Sequence, residues 1–212
     1  MSQVELESVA DLRPDRRQRK KARTRRDLVK AAARLFDERG FEGTTIEDIT
    51  NAADVSPRTF FRYFASKEEI LYAEHQRSVD DLRNRLADCP EGEPLLVTVR
   101  EAMLTIAGRI EKDKDFHLLR IRLNAESPAV LAYALRVQQD WVRIIAKALA
   151  ARLGVNVYTD MRPTLIAGAA NVAIRSALTR WGAGGGKESL RKLTSEALLL
   201  LESGFGLDES ER

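Results

Sequence analysis

The sequence predicts an all-α protein, with a small N-terminal helical domain ahead of a larger C-terminal one. Three observations predict it. Apolar residues recur at helical spacing along most of the chain, and no segment alternates with the period of a strand. Ala, Leu, Arg, Glu and Lys dominate while aromatics reach only 6%, a balance that favours helix over sheet. Prolines and glycines collect between the periodic segments, where they end helices. With 44% apolar and 32% charged residues in 212, the chain can bury a core, and long disorder is not expected away from the ends.

The elements follow in order. Residues 1–18 read as a flexible basic arm. From Arg23 the pattern becomes helical, with Leu28, Ala31, Ala32, Leu35 and Phe36 on one face. Gly40 stops this helix, and Phe41 is expected to pack beneath it. Thr45 with Asp48 forms a capping-box pattern ahead of a short amphipathic segment, Ile46 to Ala53. Asp54-Val55 makes a tight turn. Ser56 is a good N-cap and Pro57 suits the first helical position, so a second short helix begins there and runs to Phe64. Ser66 caps a third helix, expected from Lys67 to about Asp88, with Glu68 and Glu69 complementing its dipole. The break at residues 89–94 contains two prolines and a glycine. Five further helices are expected over 93–112, 115–125, 128–153, 160–181 and 187–203.

The net charge is only +3, but it is unevenly spread. Ten cationic residues lie between Arg13 and Lys30, opposed only by Asp15 and Asp27, while the tail at 206–212 is acidic. Such asymmetry points to a polyanion, either nucleic acid or an anionic membrane surface. A solvated basic tail is the plainer alternative.

Two short helices joined by a tight turn, after a longer helix, make a helix-turn-helix candidate. Ile46, Ile49, Ala53, Val55, Phe60 and Phe64, with Leu35 and Phe36, can form its small core. Arg58, Thr59 and Arg62 then face outward. An Arg there can pair with guanine O6 and N7, and a Thr can meet a thymine methyl or a phosphate. Thr45, Tyr63 and Lys67 suit phosphates flanking the groove. Arg19, Lys20, Lys21 and Arg23 would follow the DNA backbone or enter the minor groove.

Residues 24 to 71 resemble the N-terminal domain of the TetR family of regulators. The resemblance rests on Leu35-Phe36, Gly40-Phe41, Thr44-Thr45, Ile49, Ala52-Ala53, Val55-Ser56, Thr59, Tyr63-Phe64, Lys67-Glu68 and Ile70-Leu71. Two positions depart from the family pattern. Asp54 stands where a turn glycine is common, but Asp tolerates the left-handed conformation. Phe61 stands where tyrosine is frequent and lacks its hydroxyl. The resemblance implies DNA contacts from Thr45, Arg58, Thr59, Tyr63 and Lys67. It implies a DNA-binding domain over 19–75 and a regulatory and dimerisation domain over 76–205. A homodimer would release a palindromic operator when a small-molecule effector binds, in the bacterial cytoplasm at the nucleoid.

The C-terminal half must be read from its own residues. Small residues from Leu165 to Ala177, and the leucines of the last segment, either pack into their own subunit or pair with a twin. By family analogy Ala167, Ala170, Ile174, Ala177, Leu198 and Leu201 are taken as the dimer interface. Met103, Ile106, Ile110, Phe116, Trp141 and Ile145 can line an apolar pocket with His117, Arg120 and Asn124 as polar anchors. Most of these residues would equally serve as ordinary core. Arg120 to Pro128 and Trp181 to Gly186 loosely echo a family subgroup whose effectors are hydrophobic or acyl-CoA-like.

Other functions find little support. Gly184-Gly185-Gly186-Lys187 lacks the first glycine and the final hydroxyl residue of a phosphate loop, since Trp181 and Glu188 hold those positions. His75 and His117 have no metal-site spacing, and Cys89 is single. No nucleophile, base and oxyanion site assemble, so neither catalysis, a metal nor a cofactor is expected. The N-terminal stretch has no apolar run of the signal-peptide kind, and no transmembrane helix or membrane partner is expected. An interaction module whose basic arm binds an anionic membrane or an acidic protein is the alternative reading.

Overall fold

The computed structural model describes residues 16–203 apart from Glu91 and Pro94; the expected acidic tail and most of the expected arm lie outside these. The described residues form ten helices and no strand. The chain divides into two compact units that meet at the Leu71–Tyr72 bond. The first contains α1 (Arg16–Arg39), α2 (Ile46–Ala52), α3 (Pro57–Phe61) and α4 (Lys67–Ile70). The second contains α5 (His75–Ala87), α6 (Leu95–Lys112), α7 (Lys114–Glu126), α8 (Pro128–Leu153), α9 (Arg162–Ala183) and α10 (Leu190–Glu202).

In the first unit, one buried face of α1 carries Leu28, Ala31, Ala32, Leu35 and Phe36. Gly40, at φ 74°, ends the helix, and the Phe41 ring turns back to within 5.1 Å of Phe36. Ile49, Phe60, Phe64 and Ile70 complete the core at 1% exposure or less. Ile46, Ala53 and Val55, expected in that core, are only half-buried. Two threonines take the central places instead. Thr44 is fully buried, with its hydroxyl 2.8 Å from the Gly40 carbonyl and 3.2 Å from that of Leu35. Buried Thr50 donates to the Glu47 carbonyl. A buried hydroxyl is tolerated when local backbone satisfies it.

Two boundaries differ from expectation. The first helix is already formed at Arg16, the first described residue and seven before the apolar periodicity starts, because Arg, Lys, Gln and Ala sustain a helix without an apolar face. The expected helix from Lys67 to Asp88 is interrupted. Leu71 N–H donates to the Glu68 carbonyl and His75 N–H to that of Tyr72, both three residues back, so the chain tightens into a turn between α4 and α5. No glycine or proline marks this turn.

In the second unit, α9 packs against α8 and α10, and α6 against α5 and α10. Ala167, Ala170, Ala173 and Ala177 are at most 8% exposed and let α9 approach its neighbours closely. One core gathers Val79, Leu82, Val99, Met103, Ile145 and Leu149; a second surrounds Trp181 with Ala107, Leu190 and Leu193. The glycine run after α9 is a helix stop. Gly186 N–H reaches the Trp181 carbonyl at 2.8 Å and Gly185 N–H that of Gly182 at 2.9 Å, a Schellman pattern with both glycines at φ 60–64°.

A Cβ at Gly186 would lie 2.7 Å from Lys114 Cε and 3.1 Å from the Trp181 ring, whereas one at Gly184 would make only ordinary contacts. Gly186→Ala is expected to cost about 1–2 kcal/mol or more for its left-handed backbone, and Gly184→Ala to stay within about 0.5 kcal/mol of the parent. Urea denaturation of the two variants checks the contrast.

Candidate nucleic-acid interface and buried polar cluster

The interface is built by caps. Thr45 Oγ1 accepts from Asp48 N–H at 3.0 Å, and Asp48 Oδ2 accepts from Thr45 N–H at 2.9 Å. The Thr45 hydroxyl and then its N–H, both donating to the Asp48 carboxylate, with Arg39 nearby, hold that carboxyl below the usual range. After α2 the chain turns through Asp54, at φ 52°, the non-glycine residue with positive φ among those described. Val55 N–H meets the Thr50 carbonyl and Asp54 N–H that of Asn51, the same stop as at the end of α9. Ser56 Oγ then caps α3 by accepting from Thr59 N–H, with Pro57 in the first turn.

Phe60 and Phe64 are fully buried, so the opposite side of α3 faces solvent. Arg58 and Arg62 are exposed there. Arg58 has no ion pair or hydrogen bond among the described residues. Arg62 lies 5.1 Å over the Tyr63 ring and donates to its hydroxyl at 3.3 Å, which aligns the two side chains. Thr59 is half-buried, its hydroxyl 3.1 Å from that of Ser56. Phe61, departing from the tyrosine of the resemblance, is 57% exposed.

Three expected contacts change. Lys67 Nζ donates to the Phe41 and Thr44 carbonyls at 2.7 and 2.8 Å and sits 4.2 Å over the Phe41 ring. It clamps α4 to the end of α1 with two of its three N–H donors. The Thr45 hydroxyl hydrogen is donated to Asp48, so this conformation leaves none for a phosphate. Arg19, Lys20, Lys21 and Arg23 are exposed, as a DNA contact requires, but they continue α1 as helix and do not form a loose arm. Arg23 also pairs with Asp27 one turn on.

The second unit sorts the expected pocket residues differently. Met103, Ile106, Trp141 and Ile145 belong to one apolar core, and Ile110 packs on the other, around Trp181. They pack on two separate cores and not on one. An open groove of about 530 Å³ lies instead along α8 and α9, bordered by Leu135, Val142, Tyr158 and Asn171. None of the nine expected pocket residues lines it.

The polar residues do assemble. His117, Arg120 and Asn124 share one face of α7 by their spacing. Tyr72, just before α5, donates its hydroxyl to Asn124 Oδ1 at 2.9 Å, and the Arg120 guanidinium stacks 5.0 Å over the Tyr72 ring. Tyr133 lies 5.2 Å from Tyr72. Beside them His75 meets the Trp141 ring edge-on and approaches Asp140 at 3.8 Å. Phe116 stacks edge-to-face on His117, whose Nδ1 is buried without a partner. Burial depresses the Arg120 and His75 pKa values and raises that of Tyr72. Burial, with Arg120 nearby, pushes His117 down to about 3. Sequence reasoning missed Tyr72, because its partners lie some fifty residues away and leave no local pattern.

Four of the six expected dimer residues are corrected too. Ala167, Ala170, Ala177 and Leu198 are at most 5% exposed within their own chain. Ile174 packs on the same core and Leu201 is half-buried. The small residues serve packing inside the subunit. The outward apolar side chains are Leu165 and Val172 on α9 and Leu199 and Leu200 on α10, each at least half exposed.

A histidine that is neutral in the fold but protonated when unfolded couples stability to pH. Below its free value near 6.5 and down to about 3, the unfolded chain binds the extra proton, so stability falls as pH drops through that window. His75 acts in the same direction. His117→Gln is expected to flatten the decline in Tm between pH 7 and pH 5, measured by circular dichroism; an unchanged slope counts against a buried neutral His117.

Comparison with known proteins agrees with this geometry. Residues 28–73 match the family described as bacterial regulatory proteins, tetR family, and residues 93–206 match the MftR C-terminal domain. The chain is 37% identical over 159 residues to the HTH-type transcriptional regulator TcmR of Streptomyces glaucescens, covering 72% of this chain and 70% of TcmR. It is 28% identical over 148 residues to the HTH-type transcriptional repressor DhaR of Mycobacterium sp. strain GP1, covering 68% and 74%. Among solved structures, the Thermus thermophilus repressor FadR with lauroyl-CoA superposes with a TM-score of 0.60 at 25% identity, over 89% of this chain and 98% of that one. No helix among the described residues is long and apolar enough to cross a membrane. A capped helix-turn-helix, followed in the sequence by an all-helical unit, is that of a DNA-binding transcriptional regulator, and the chain belongs to the TetR family.

Proposed function

We propose that the protein is a repressor that binds a palindromic operator as a homodimer and releases it when a small-molecule effector occupies the second unit. The observation that carries this reading is the outward row of α3, Arg58, Phe61 and Arg62, fixed by burial of Phe60 and Phe64. A two-fold dimer would present two such helices to half-sites about 34–36 Å apart, or a multiple of that spacing. The exposed Leu165, Val172, Leu199 and Leu200 supply an apolar surface for the pairing of α9 and α10 with their twins. The naming of DhaR as a repressor supports repression, and the lauroyl-CoA in FadR supports a hydrophobic or acyl-CoA-like effector. The site of action is the bacterial cytoplasm, at the nucleoid.

Selection from random double-stranded DNA at near-physiological salt is expected to enrich a palindrome with fixed half-site spacing. Binding that is only salt-sensitive and selects no sequence would favour the alternative, an α1 whose cations engage an anionic membrane or an acidic protein. On the selected operator, Arg58→Ala is expected to lose about 1–3 kcal/mol of discrimination at one base of each half-site. Replacing Arg19, Lys20 and Lys21 by Gln is expected to weaken binding on all sequences and to flatten its salt dependence. Sedimentation velocity on Val172→Asp with Leu200→Asp is expected to show a folded monomer; an unchanged dimer moves the interface elsewhere.

A further inference from the structure

Arg120 is the unusual residue of the second unit. The residue is only partly exposed and its guanidinium stacks on the ring of Tyr72, yet among the described residues it has neither an ion pair nor a hydrogen bond. Its described partner is the face of Tyr72. A guanidinium carries five donors and cannot be neutralised by losing a proton. Partial burial takes water from this cation without supplying an acceptor, and the solvent that still reaches it leaves its donors open to a bound anion. The side chains around it do not supply a charge. His117 is neutral, the Tyr72 hydroxyl is occupied by Asn124, and Asp140 is turned to His75 and Arg143. A second group nearby is also incomplete, since buried His117 Nδ1 has no partner and lies within electrostatic reach of Arg120.

We propose that this cluster holds the carboxylate of an otherwise apolar effector, bound at Arg120, with His117 Nδ1 as a further donor and the rings of Tyr72, Tyr133 and Phe116 against its apolar part. The proposal rests on the effector-released reading above and names the chemistry that the effector carries. A planar guanidinium matches a carboxylate with two parallel bonds. Arg120 is the partly buried cation of the site, whereas Arg136 over the Tyr133 ring is exposed, so one negative charge suits the interior better than a cluster of phosphates. The neutral imidazole donates from Nδ1 as one of its two tautomers. The site also has a route to the DNA-binding unit through the chain itself. Tyr72 directly follows Leu71, the last residue of the first unit. A carboxylate that draws Arg120 off the Tyr72 ring therefore acts on the junction residue.

The test uses the full chain and two variants. Arg120→Met keeps the volume of the stem and removes the charge; Arg120→Lys keeps the charge and loses the fork. Without ligand, Arg120→Met is expected to match or exceed the parent Tm, because it removes an unpaired cation. The probes are benzoate and decanoate, with benzyl alcohol and decanol as neutral counterparts and decanoyl-CoA as a phosphate-bearing one. At least one carboxylate is expected to raise the parent Tm while its alcohol does not, and to bind Arg120→Met and Arg120→Lys roughly tenfold or more weakly by calorimetry. A loss of Tm in Arg120→Met, with carboxylate binding unchanged, would make Arg120 a packing residue and overturn the proposal. So would a parent that responds to neither carboxylate, or equally to the alcohols, or only to decanoyl-CoA. Operator release is read separately. A carboxylate that binds through Arg120 without releasing DNA leaves this site standing and removes the effector reading; release by a neutral compound, unaffected by Arg120→Met, does the reverse.

Discussion

Full burial of Phe60 and Phe64 is the constraint on which the DNA-binding surface depends. A helix of five residues has no stability of its own, because nucleation outweighs the few hydrogen bonds it closes. Each buried ring contributes about 1.5–3 kcal/mol, and together they fix the rotation of α3 about its axis. At 3.6 residues per turn, the rotation that buries positions 60 and 64 turns 58, 61 and 62 outward. The caps on either side then limit sliding along the axis. Ser56 closes the start of α3, and the left-handed Asp54 sets the angle at which the chain leaves α2. The outward row of α3 is thus fixed by apolar packing on its opposite face.

Much of this was legible because it is local. A hydroxyl before a proline, an acid three residues after a threonine, and a glycine after an apolar stripe each act within one helical turn, and Thr45, Ser56, Ser66 and Gly40 behave as their sequence contexts imply. What was not legible depends on distant partners. Lys67 reads as an exposed cation until the carbonyls of Phe41 and Thr44, more than twenty residues back, close around its ammonium. The alanines of α9 read equally well as a surface for a twin or as a seat for α8 and α10. Composition gives the capacity for close approach but not the identity of the neighbour. The turn at Leu71–Glu74 has no breaker residue at all; its apolar side chains fit a continuous helix as well as they fit the bend.

The two units illustrate opposite uses of buried polarity. In the first, Thr44 and Thr50 are satisfied by adjacent carbonyls and serve to hold one conformation. In the second, the cluster around Arg120 leaves donors unmatched, and Trp181 Nε1 is likewise buried without a partner. A fully satisfied group makes a rigid scaffold. An unsatisfied one stores free energy that a suitable molecule can release.

The charge distribution along α1 has a separate consequence. The exposed cations from Arg16 to Arg23 crowd two turns of helix that contain no acidic residue. Alone, these turns work against their own electrostatics, and dissolved counterions relieve the strain. Phosphates laid beside them would relieve it further. The first described turns of α1 are therefore a segment whose helicity follows the ionic atmosphere, so that added salt would compete for a polyanion bound there and at the same time firm the helix.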